Sequence, residues 1–480
     1  MTQLETMSVE PLLTHDYETR RAEIHDELRG RYGAVAPVDL LGTPVWLVLG
    51  YDEALTVLRD GDRWKKSLTH WRAYTEGRIP ADWPMLPALE CDMMVFFDDQ
   101  RHQTARAAFE RAVRPFQDPS RPSARQLRAL ITQYADDLIT FLSEDGGRTG
   151  IADLCGQYAR PLPLMVTNRL LGFADARGDE VIMDVWRVLD AGPDAAAAIE
   201  RLMGALQGLV LEKRAMPGDD IPSYMLAADP SVSTEELAWE LYLVLCTTAD
   251  LVGTLLCNTV VEVLTGHTGA RASLSAGMVG EVVNRAALAH PPMHNLTFRF
   301  PVAAVRLGDF VIDAGDPVMV SPAAAHADPL FAQGIARDAT VSSRAHLAWG
   351  AGPHQCPGRD LASSIVAIGV QRLFERFADL RLTLPRDQLP WRISPLMSGL
   401  RSLPVRYVLS EAPVPATVPA VGPAVSVVPA VGPAVSVVPA APVVAAVPAV
   451  AASASDASVK PTRSAFWRML DGFRRRPEAE

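Results

Sequence analysis

The sequence predicts a mainly α-helical chain with a small β-region, on three observations. Residues 235–265 form one long, mostly apolar stretch with few polar interruptions, the pattern of a helix running through a core. Helical periodicity returns over 98–112, 124–145 and 156–173. Strand-like segments are few and short: 43–49, 304–320 and the stretch that closes at Leu409.

In chain order, residues 43–49 read as a strand entered from a turn, and residues 50–53 lead into a short helix over 54–59. Residues 64–97 lack clear periodicity and carry Pro80, Pro84 and Pro87, so they read as a long loop, which in a compact domain is more often functional than idle. Residues 98–112 read as a helix that sets His102 and Arg106 four apart on one face. Pro161 sits near the start of the next long helix but one. Residues 174–235 alternate helical stretches with short loops. The long apolar helix carries Cys246, Thr247 and Asp250 at its middle, and its Glu and Asp residues argue against a membrane span. Residues 304–320 read as two short strands, with Asp313 to Asp316 as the turn signal.

The stretch 345–358 holds the one cysteine with a specific chemical task. Cys356 follows Trp349, Gly350 and Gly352 and precedes Pro357, Gly358 and an apolar run of helical spacing. A thiolate at a helix start is stabilised by free N–H groups and the helix dipole. No second Cys or His stands at close metal-ligand spacing, so an axial haem thiolate fits better than zinc. The plainer reading is a buried structural cysteine at a loop–helix junction. The plainer reading of His102 and Arg106 is a solvated polar pair.

The order Trp349, Gly352, Cys356, Gly358 resembles the haem-binding loop of cytochromes P450, with Trp in the usual Phe position. That resemblance covers roughly residues 20–410 and implies the cytochrome P450 fold, haem b as cofactor and Cys356 as the iron ligand. It implies that His102, Arg106, Arg299 and His354 meet the haem propionates, and that 64–97 and 174–200 border the substrate pocket. Asp328 and Pro329 match a further family segment, with His326 in its Asn position. For the oxygen-binding group it places Thr247 in the Thr position, Cys246 where an acid is usual and Val244 where Gly is usual, with Asp250 as the nearest acid. The family's Glu-x-x-Arg pair, which locks the fold on the cysteine side of the haem, falls on Arg285 and Leu288. Glu281 and Arg285 form an i,i+4 pair one turn earlier.

Composition agrees with a soluble acidic protein. The 480 residues carry a net charge of -11, which disfavours nucleic acid as a partner. The five cysteines (Cys91, Cys155, Cys246, Cys257, Cys356) are scattered and odd in number, pointing to a reducing compartment rather than a disulfide framework. The N-terminus is polar and acidic, unlike a signal peptide. Residues 411–459 are mostly Val, Ala and Pro, and one ten-residue unit at 421–430 recurs at 431–440. Such a tract reads as an extended spacer. Residues 460–480 hold a basic amphipathic candidate at 463–476, with Phe466, Trp467, Leu470 and Phe473 near one face and Arg474 to Arg476 elsewhere. It suits a membrane surface or a partner groove.

The expectation is a haem domain over 1–410 followed by these two segments. The resemblance implies a cytoplasmic monooxygenase, peripheral to the membrane if 463–476 docks there. It would oxidise a small apolar substrate with O2 and electrons from a ferredoxin and ferredoxin reductase or a similar redox partner. The competing expectation, raised by Val244, Cys246 and the missing ionic pair, is a non-catalytic or regulatory haem-binding protein that interacts with a partner protein.

Overall fold

The computed structural model describes residues 3–411, apart from 8, 15, 144–146, 174, 190–193, 267–268, 335–344 and 393. The repeat tract at 421–440 and the basic segment 463–476 lie outside the described residues.

Helices dominate, and the strands are short. Val35–Leu40 and Thr43–Val48 form an antiparallel hairpin. Its two-residue turn places Leu41 at φ 56° and Gly42 at φ 86°, the left-handed pair that matches strand twist. Glu10–Pro11 extends this sheet on one edge and Val318–Val320 on the other, both in parallel. Phe377–Leu382, Pro404–Leu409 and Thr149–Asp153 make a second, antiparallel sheet. Trp64–Lys65 pairs antiparallel with Phe300–Pro301, which brings the start of a long loop beside Arg299.

Three readings from sequence are corrected here. The strand Val35–Leu40 went unread. Residues 64–97 are not structureless but a chain of short helical turns, among them Leu68–His70, Arg72–Thr75, Leu86–Leu89 and Met94–Phe96. The 304–320 region makes three strands, not two. Its hairpin reverses at Gly308 (φ 57°), and the Asp313–Asp316 turn, with Gly315 at φ 79°, sends the chain on to Val318–Val320.

The long apolar helix runs from Thr234 to Thr265 and is long and apolar enough to cross a membrane, but most of that run is buried within the protein. It is the core helix. Ser233 and Glu236 close its start as a capping box. Its middle is irregular: Thr234–Thr247 gives way to a widened turn at Thr248–Val252 before regular helix resumes at Gly253–Thr265. A second widened turn, Cys155–Ala159, precedes the helix Pro161–Leu171. The two cross at Gly253, where a Cβ would lie 2.9 Å from the Ala159 carbonyl oxygen and 3.1 Å from Arg160 Cα. Backbone occupies the space a side chain would need. The helix then packs on Val279–Ala289 and Arg359–Arg376, so the cysteine loop and the central helix share one core.

Replacing Gly253 by Val is expected to lower stability by about 1–3 kcal/mol, the cost of overpacking against backbone that cannot rotate away. A fall in the urea midpoint with an unchanged slope checks it.

Candidate functional site

The cysteine loop is shaped by its glycines. Gly350 and Gly352 hold φ of 69° and 68°. A Cβ on Gly352 would meet Leu58 O at 2.2 Å and Arg59 Cα at 2.7 Å, so only glycine fits against the end of Tyr51–Arg59. The loop closes through Gly350 N–H to Leu347 O at 2.9 Å and Cys356 N–H to Trp349 O at 2.8 Å. Gly358 caps the helix Arg359–Arg376, and a Cβ there would touch the Cys356 sulfur at 3.9 Å. Burial pushes the Cys356 thiol up; the Gly358 N–H, Arg106 and Arg359 act in the opposite direction. Gln117 donates to Pro357 O at 3.1 Å and ties the helix Asp99–Gln117 to this loop.

Four of the residues named from sequence come together on that side. The His102 and His354 rings stack with centroids 3.9 Å apart. Arg106, one turn on from His102, pairs with Glu110 at 2.7 Å and interacts electrostatically with His102, His354 and Cys356. Arg299 is buried and donates to its neighbour's carbonyl, Phe298 O, at 3.3 Å.

Sequence reasoning missed a fifth cation. Lys66 is buried, hydrogen-bonds Thr297 through its ammonium, and faces Arg299 and His354. Asp98 serves the same group indirectly. It leaves its own helix start uncapped and instead accepts the backbone N–H groups of Lys66 (2.8 Å) and Ser67 (2.8 Å).

The electrostatics of this cluster are one-sided. Burial pulls Arg299 down to about 10. It pulls Lys66 well below the usual ammonium range, with Arg299 adding to it. Burial, then Arg299 and His102, lower His354; burial and Arg106 lower His102. Five basic side chains thus converge, four of them buried or nearly so, with Asp98 nearby and Glu110 paired to Arg106, a donor set suited to a ligand bearing carboxylates. With a thiolate loop whose glycines leave room for a flat ring, the residues fit haem.

The central helix carries the other candidates. Thr247 Oγ1 donates to Leu243 O at 2.6 Å. Burial pushes the Cys246 thiol up to about 12, so it is protonated at neutral pH. Asp250 is deeply buried and engaged: Arg392 Nη2 lies 3.0 Å from both of its oxygens, and Arg160 Nη2 lies 3.6 Å from one. Two turns before Thr247, Glu240 Oε1 accepts Met94 N–H at 2.6 Å while its Oε2 has no hydrogen-bond partner among the described residues, and burial raises the carboxyl to about 7. Glu281 and Arg285 do pair, at 3.0 Å, with Arg285 beside Gly269.

The sequence profile described as Cytochrome P450 matches residues 289–409. Cytochrome P450 107B1 of Saccharopolyspora erythraea is 32% identical over 418 residues, covering 83% of this chain and 97% of that protein. The chain is a cytochrome P450. Cytochrome P450 monooxygenase PikC of Streptomyces venezuelae is 31% identical, covering 78% of this P450 and 89% of PikC. The 6-deoxyerythronolide B hydroxylase of S. erythraea is 29% identical, covering 78% and 92%. Among solved structures, CYP154A1 from Streptomyces coelicolor superposes with a TM-score of 0.70 at 28% identity, covering 83% of this P450 and 99% of CYP154A1. CYP154C4 with bound testosterone gives 0.71 at 26%, covering 84% and 99%. These relatives place this P450 among haem-thiolate monooxygenases.

The raised Glu240 carboxyl sets a pH dependence. Its folded form favours the proton, so its contribution to stability is full below pH 4.5, falls as pH rises toward 7, and is flat above. Glu240→Gln is expected to remove a slope of about 2–4 kcal/mol between pH 5 and 8. Urea unfolding of both proteins at a series of pH values measures it.

Proposed function

We propose that this P450 hydroxylates a small apolar substrate, and that haem b would be held by the Cys356 thiolate at its iron and by His102, Arg106, Arg299, His354 and Lys66 at its carboxylates. The observation that carries this is the convergence of five basic side chains beside a glycine-framed cysteine, in a chain whose relatives include monooxygenases and a hydroxylase. Bound haem supplies O2 activation and transfer of one oxygen atom to a C–H bond, with electrons delivered from outside. A ferredoxin with its reductase is the proposed source.

The protein's own groups bind, orient and manage protons. Arg299 and Lys66 are buried, and carboxylates arriving beside them would offset the burial that disfavours their charged forms. The Gly358 N–H and helix start stabilise Cys356 as thiolate. On the central helix Thr247 offers a hydroxyl whose own proton is committed to Leu243 O, leaving its lone pairs to accept from water. Cys246 stays a neutral thiol. Asp250, named from sequence as a candidate proton carrier, is better read as an anchor: two arginines bind its carboxylate and fix the widened turn. Proton delivery then passes through Thr247 and water without a carboxylate beside it. That lowers the yield of oxidised product per electron pair.

Two experiments test this. The reduced, CO-bound protein is expected to show the thiolate Soret band, and Cys356→Ala to lose it; an unchanged spectrum in the variant overturns the ligand assignment. With surrogate redox partners and NADPH, Cys246→Asp is expected to raise product formation by about tenfold, less than the roughly 10²–10⁴ of an ideally positioned acid because water already delivers protons. Peroxide-driven turnover, which needs fewer delivered protons, should change far less. Equal gains in both assays would contradict the proton argument.

A further inference from the structure

The cysteine loop needs a fixed partner, and the pair that the resemblance assigns to that task falls on Arg285 and Leu288. Position 288 is nonetheless the anchoring point. Leu288 is in the last turn of Val279–Ala289, so its carbonyl lacks an intrahelical donor. His326 Nδ1 lies 2.9 Å from that oxygen. On the ring's other side, Leu347 N–H donates to His326 Nε2 at 2.7 Å. The two contacts fix the tautomer: Nε2 accepts, so Nδ1 carries the hydrogen and donates. A charged ring would set N–H against N–H at Leu347. Burial, with His346 adding to it, pulls His326 down to about 3, so the neutral form persists.

His326 is placed by its surroundings. It ends the short helix Pro322–His326, whose start Ser321 caps at Ala324 N–H while donating to His294 O. A second link runs parallel to the first: His346 Nε2 lies 3.3 Å from Asn284 Oδ1, one turn before Leu288. Tyr51 adds a third by donating to Ala345 O at 2.6 Å. From Leu347 the path to the cysteine is short, since Leu347 O accepts Gly350 N–H and Trp349 O accepts Cys356 N–H.

We propose that His326 is a positioning residue that, with the His346–Asn284 link, clamps the Cys356 loop to the helix Val279–Ala289 through neutral hydrogen bonds, in place of an ion pair. The clamp keeps the sulfur where it binds iron as thiolate. This rests on Cys356 being the haem ligand.

The test follows the reduced CO complex as it converts from the thiolate to the thiol form in mild urea, with far-UV circular dichroism recording the fold in parallel. His326→Phe keeps a ring but neither hydrogen bond. It is expected to convert about tenfold faster than the parent, the effect of losing two ordinary hydrogen bonds, at unchanged helix content. His326→Gln, whose amide both donates and accepts, should recover most of that loss. Asn284→Leu, on a helix that leucine favours, should convert about threefold faster. Phe and Leu variants at the parental rate overturn the clamp. If the Phe variant does not accumulate folded, the Leu and Gln variants decide, and a parental rate in the Leu variant overturns it. A parent that never shows the thiolate band fails the functional proposal instead, so the two failures are distinct. Because the links are neutral, the parental rate should also hold between low and high salt; a steep salt dependence would point back to an ion pair.

Discussion

Arg299, Lys66, His102 and His354 are crowded at one edge of the site, and burial drives each toward its neutral form. Cations are placed this way only where an anion can join them, because isolated charge in low dielectric is expensive. Much of the surrounding architecture reads as a means of holding them together. The Trp64–Lys65 pairing with Phe300–Pro301 sets Lys66 beside Arg299. Asp98 gives up capping its helix to hold the Lys66 and Ser67 backbone. Gln117, at the far end of that helix, reaches Pro357 beside the thiol. One helix therefore spans from the basic cluster to the cysteine loop, and the two halves of the proposed haem site are set by one rigid element.

The central helix answers a different demand. A regular helix gives no room beside its own backbone, whereas a widened turn displaces carbonyls and opens a groove. Here the turn at 248–252 follows directly on Thr247 and is fixed from two directions, by the Arg160 and Arg392 hold on Asp250 and by the close crossing at Gly253. An acid that is busy holding a turn is poorly placed to shuttle protons. In the proposed function the groove and the relay are separable parts: the widened turn is held by two arginines, while the proposed relay depends on one hydroxyl.

What was legible in the sequence was local. The shape of the cysteine loop and the shared face of His102 and Arg106 follow from near neighbours, while their roles toward a haem came from the resemblance of that loop to cytochromes P450. Lys66 was invisible because its neighbourhood depends on a strand pairing across 235 positions, from residue 65 to residue 300. The partners of Asp250 were equally hidden, with Arg392 lying 142 residues away. The strand Val35–Leu40 was missed because it is buried almost throughout and shows no alternation to betray it. In the 304–320 region the Asp-Ala-Gly-Asp signal is real, yet it marks an exit into a parallel pairing, a choice that only the strand Thr43–Val48 could decide.

The neutral links around the cysteine loop carry this contrast to its end. An ion pair between a helix and a loop holds through charges that solvent can screen and a pH change can remove. A buried imidazole that accepts on one side and donates on the other holds through direction: it tolerates one tautomer and one ring orientation, and both are fixed by backbone groups, Leu288 O and Leu347 N–H. Backbone groups do not vary with the residue that carries them. Leucine at position 288 therefore leaves the anchoring point in place, provided that a side chain elsewhere reaches its carbonyl. Residue types at 285 and 288 raise only the expectation of a loss, and the geometry at position 326 is what supports the proposed alternative hold on the loop.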